Sequence, residues 1–72
     1  MKSVEIKITT EYIKLDSLLK FSGLAETGSD AKEIIKDGRI MVGDEVCLMR
    51  GKKIRSGDTV YVPEIDTQLV IK

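Results

Sequence analysis

The apolar residues of this chain change period twice, and no other feature restricts its fold as much. Val4-Glu5-Ile6-Lys7-Ile8-Thr9 alternates apolar and polar positions, the period of a half-buried strand. From Lys14 the spacing turns helical. Leu15, Leu18, Leu19 and Ser22 fall at i, i+3, i+4 and i+7, one face of a two-turn helix that Gly23 ends. A second helical stretch carries Ala31, Ile34 and Ile35 on one face and Lys32 and Lys36 on another, and stops at Gly38. The short link from Leu24 to Gly28 makes the two a helical hairpin or crossed pair.

After Gly38 the strand period returns. Arg39-Ile40-Met41-Val42 and Glu45-Val46-Cys47-Leu48 flank the turn Gly43-Asp44. Gly51-Lys52-Lys53-Ile54-Arg55 is a basic loop or short strand, and Ser56-Gly57-Asp58 a turn before the β-favouring run Thr59-Val60-Tyr61-Val62. Pro63 ends that run or confines it to an edge, and Gln68-Leu69-Val70-Ile71 is a last strand that can pair with the first.

Seventy-two residues support a single domain, 1–72, with a small core. At 42% apolar and 33% charged the chain has enough aliphatic surface to fold. It has no His and one Cys, which removes the usual zinc sets, Ser-His and Cys-His pairs and any imidazole base. Cys47 sits in the apolar run Val46-Cys47-Leu48-Met49 and is expected as a buried thiol. No apolar stretch spans a membrane, and Met1-Lys2-Ser3-Val4 opens a polar alternating segment instead of a signal sequence. The expected setting is the reducing cytoplasm, with no cofactor and no metal.

Twelve basic and twelve acidic side chains cancel, yet their distribution is uneven. Lys32, Lys36, Arg39, Arg50, Lys52, Lys53 and Arg55 crowd residues 32–55, against Glu33, Asp37, Asp44 and Glu45. Four of those cations fall within the six residues from Arg50 to Arg55.

The order of these elements resembles the S-four RNA-binding domain family, named after the fourth protein of the small ribosomal subunit. The resemblance rests on Lys14-Leu15-Asp16, Gly23-Leu24, Ser29-Asp30-Ala31-Lys32, Ile35 through Gly38, Ile40, Val42, Val46, Gly57-Asp58 and Val60. It covers about residues 12–62, and the length is similar to that of the small stand-alone, YaaA-like bacterial members. The implied fold is α+β, the alpha-L RNA-binding motif: two short helices on a small, mainly antiparallel sheet of about four to five strands. The chain departs from the family where Gly28 replaces a frequent arginine and Gly43-Asp44 replaces a frequent Asn-Gly turn.

The resemblance implies a non-catalytic module for structured RNA, ribosomal or ribosome-associated. The residues offer matching chemistry. Thr27, Gly28 and Ser29 stand at a helix N-terminus, where free amides suit a phosphate, although Ser29 is equally an N-cap with Thr27 as its rival. Lys32 and Lys36 share a helix face, Lys14 upstream is a further candidate for RNA contact, and Arg39 is placed between the helix and the basic loop of Arg50, Lys52, Lys53 and Arg55. That arrangement would make one continuous positive surface. With Tyr12, Phe21 and Tyr61 the only aromatics, and Phe21 assigned to the core, base stacking is not expected and RNA shape is. The alternative is a protein-interaction module on the same fold, favoured by the zero net charge and by Gly28. An enzyme is disfavoured because the Asp residues have no base, metal set or nucleotide loop beside them.

Overall fold

A computed structural model describes residues 1–72. Seven strands and two α-helices follow in chain order, with one 3-10 turn (Pro63–Ile65) between the last two strands: β1 (Lys2–Ile6), β2 (Ile13–Lys14), α1 (Leu15–Phe21), α2 (Gly28–Lys36), β3 (Met41–Val42), β4 (Glu45–Val46), β5 (Lys53–Ile54), β6 (Thr59–Val62) and β7 (Thr67–Ile71). Five strands form one sheet in the order β1-β7-β6-β3-β4, and β2 and β5 form a separate antiparallel ribbon. The sheet is antiparallel except where β1 pairs with β7, Lys2 opposite Thr67 through Ile6 opposite Ile71. The two-helix, mainly antiparallel architecture is the α+β class expected. No helix is long and apolar enough to cross a membrane.

Both helices end in the same way. Gly23 and Gly38 take φ values of +83° and +76°, conformations that cost a glycine little. At α1, Leu24 N–H reaches back to the Leu19 carbonyl and Gly23 N–H to that of Lys20; at α2, Arg39 and Gly38 do the same to Ile34 and Ile35. This paired closure satisfies the last carbonyls and turns the chain out of each helix. Leu15, Leu18 and Leu19 of α1 and Ala31 and Ile35 of α2 are buried in one cluster with Ile40 just before β3, Val60 of β6, and Leu69 and Ile71 of β7. One apolar cluster of thirteen side chains results.

The hairpin strands β3 and β4 are shorter than the alternation suggests, and β1 begins two residues earlier. The reason lies in pairing. A strand exists only where a neighbour accepts its hydrogen bonds, and β4 is the edge of the sheet.

Candidate nucleic-acid interface

The basic segment of the sequence contains β5, one strand of the β2–β5 ribbon. Strands of two residues have little stability of their own, so the ribbon depends on the core beneath it. Ile54 is fully buried and Ile13 packs on the same cluster. Strand alternation then turns the neighbours of Ile54 outward: Lys53 and Arg55 are exposed, as is Lys14 opposite Lys53.

The ribbon runs directly into α1. The Lys52 carbonyl accepts from Leu15 N–H at 2.9 Å and the Arg50 carbonyl from Asp16 N–H at 3.1 Å. Lys14 is the N-cap residue and gives no side-chain bond. Carbonyls of the basic loop therefore satisfy two of the free amides that a helix start leaves. Ser17 N–H bonds Asp16 Oδ1 at 2.7 Å, which gives that carboxylate a local structural task. The backbone of the loop is held, and its cationic ends are left free.

Five cations, Lys14, Arg50, Lys52, Lys53 and Arg55, share these two segments with only Glu11 and Asp16. Arg55 alone among them has an ion-pair partner, Glu11 at 3.6 Å, and both side chains are exposed. Lys14 and Lys53 are direct register partners. Like charges placed opposite one another on a sheet destabilise it, so this pairing costs the free protein stability that a bound polyanion would restore.

Helix α2 is arranged differently. It starts at Gly28, and Thr27 is its cap: Thr27 Oγ1 accepts from Asp30 N–H at 3.1 Å. The reading of Ser29 as N-cap is corrected here, because Ser29 is already the second helical residue. Lys32 and Lys36 are exposed and join no ion pair. A neighbouring stripe of Asp30, Glu33 and Asp37 lines a groove with Glu26. Arg39 does not bridge two basic regions. It lies 3.4 Å from Glu64 and 3.8 Å from Asp37, neutralised by both. The expected continuous positive surface is therefore interrupted, although α1 packs against both α2 and β2.

Two apolar placements also differ from expectation. Phe21 is 68% exposed instead of buried. It lies off the stripe of Leu15, Leu18 and Leu19, and the helical spacing itself already showed this. Around Cys47, which is half-buried against the core, Val46, Leu48 and Met49 are 54%, 62% and 67% exposed. Edge position explains them, since no strand lies beyond β4. Tyr12 lies one step beyond the Ile13–Ile54 pair, and its ring centroid is 4.9 Å from Lys53 Nζ and 5.9 Å from the Arg55 guanidinium carbon. The alternation Tyr12, Lys14 places the two on one side of a strand, but no helical or strand signal surrounds so short a segment.

Tyr61 is occupied elsewhere. Its hydroxyl donates to Asp66 Oδ1 at 2.8 Å, which holds the phenol above its ordinary pKa and the Asp66 carboxyl below its own. Asp66 also lies 3.4 Å from the amino group of Met1.

The model of the S4 domain family matches residues 6–71. A curated relative from Bacillus subtilis (strain 168), named as a probable ribosome maturation protein RlbA, is 35% identical over 57 residues, 79% of this chain and 80% of the relative.

Proposed function

This chain belongs to the S4 domain family, and we propose that it is a non-catalytic, cytoplasmic module that grips structured RNA through the β2–β5 ribbon. The name of the relative supports ribosomal RNA or a ribosome-associated particle as the target. One observation carries the reading: Lys14 and Lys53 are paired on the ribbon, the carbonyls of Arg50 and Lys52 are held by α1, Arg55 directly follows β5, and four of these five cations lack an ion-pair partner. Such a patch in water is an electrostatic footprint for a phosphate backbone. Thr27, Gly28, Ser29, Lys32 and Lys36 form a secondary contact at α2, weakened by Asp30.

The test is a salt titration of binding to structured ribosomal RNA, with a DNA duplex of matched charge as control. Log affinity should fall with log salt at a slope of about −3 to −4, as four or five neutralised phosphates require, and RNA should bind more tightly than DNA. Equal or negligible binding to both would sink the reading. The exposed Val46, Leu48 and Met49 favour a second reading, a protein partner on the β4 edge. That reading gains if RNA binding fails while Leu48→Ser changes the function of the protein in cells.

A further inference from the structure

We infer that Tyr12 is a stacking platform for one unpaired nucleotide, so that the ribbon recognises a bulge or junction beside a paired stem. This rests on the RNA reading above and narrows the class of RNA. Three observations support it. Tyr12 is half-buried, and its hydroxyl makes no hydrogen bond within the chain, whereas the Tyr61 hydroxyl is committed to Asp66. Its position is held from both sides, by the Ile13–Ile54 pairing over buried Ile54 and by Thr10 Oγ1 donating to the Tyr12 carbonyl at 2.8 Å. It lies among the cations that would hold a phosphate, with Lys53 and Arg55 within 6 Å of its centroid.

The chemistry follows from that juxtaposition. Lys14, Lys53 and Arg55 draw the backbone of a nucleotide to the ribbon, and the base attached to it reaches the ring. A base inside an A-form helix is stacked on its neighbours and offers no face. Only a nucleotide released from pairing can lie on Tyr12. A ring is indifferent to which base it receives, so the contact selects the unpaired state with little regard to sequence. A rival role is purely internal: the ring attracts the two cations and holds them in place, an effect that is weak at exposed sites.

The two roles separate in a binding experiment with the whole chain. The probes are an RNA hairpin carrying one bulged adenosine and the same hairpin fully paired, with Tyr12→Leu, Tyr12→Phe and Tyr12→Trp compared to the native protein. Stacking predicts that the native chain prefers the bulged hairpin and that Tyr12→Leu loses about tenfold on it with little change on the paired one. Tyr12→Phe should keep the preference. The chain has no tryptophan, so Tyr12→Trp supplies a single reporter whose fluorescence should be quenched by the bulged hairpin and much less by the paired one. An equal loss on both hairpins with a shallower salt slope would assign the ring to holding cations and overturn the proposal, as would no loss on either. Failure of the native chain to bind either RNA would overturn the RNA reading itself, an outcome distinct from loss of bulge preference.

Discussion

The ribbon and helix α2 both expose lysines, and their surroundings differ. On the ribbon, the alternation around buried Ile54 projects Lys53 and Arg55 to one side, with Lys14 beside them and two carboxylates nearby. On α2, Lys32 and Lys36 share the exposed surface with Asp30, Glu33 and Asp37, and Arg39 just beyond is paired twice. The same residue type thus produces a concentrated positive field in one place and a mixed one in the other. Charge counted along the sequence merges the two, because residues 32–55 include both. A phosphate responds to the local sum within about a Debye length, roughly 8 Å at physiological salt.

The comparison is most severely broken by removing what holds the ribbon in place. Ile54→Ala should cost about 2–5 kcal/mol, a large share of the ~5–15 kcal/mol that a domain possesses, and should abolish RNA binding through loss of the ribbon. Urea denaturation followed by far-UV circular dichroism measures it. The next effect leaves the fold intact. Lys52→Glu with Lys53→Glu should weaken RNA binding on the order of a hundredfold at low salt and make the salt slope shallower by about two, with the urea midpoint slightly raised because Lys53→Glu relieves the like-charge pairing with Lys14. Lys32→Glu with Lys36→Glu should do markedly less, and an equal loss would show that the two regions act as one surface.

A gain-of-binding change sharpens the contrast further. A Cβ at Gly28 would meet nothing within 4 Å, and its backbone is in an ordinary helical conformation. Gly28→Arg should therefore fold normally and raise RNA affinity about three- to tenfold, with a slope steeper by about one. Unchanged affinity would place the first turn of α2 off the RNA path.

The smallest effect lies far from both regions. The Asp66 carboxyl is held below its ordinary value by the Tyr61 hydroxyl and then by the terminal ammonium. A group depressed in the folded state adds stability above its unfolded pKa and loses it as pH falls through the folded one. Asp66→Asn should thus lower the thermal midpoint slightly at pH 7 and leave it equal to the native value near pH 2. A shift of the same size at both pH values would remove the charge from the explanation. RNA affinity should not move.

Much of the fold was legible because its signals are local. The Leu15-Leu18-Leu19 stripe, the glycines that close both helices and the Thr59–Val62 strand each depend on residues within a few positions of one another. Thr27 and Ser29 were harder to separate, since either hydroxyl has an amide within reach two or three residues on. Phe21 is readable from its angle around α1, although a large aromatic by type suggests a core position. Val46, Leu48 and Met49 were not readable, because an apolar run does not say whether its strand lies at the centre or the edge of a sheet.

The sequence by itself determined the family, the two glycine-closed helices, the strand order's raw material and the identity of the cations. These are properties of spacing and residue type, which short-range sterics and hydrogen bonding translate directly into local structure. Only the tertiary structure decided that residues 13–14 pair with 53–54, that loop carbonyls cap α1, that Arg39 is neutralised and that Tyr12 stands among lysine and arginine. Those contacts join segments tens of residues apart, and their strands are too short to carry any period. Those at the ribbon exist because burying Ile54 in the common core turns its neighbours outward.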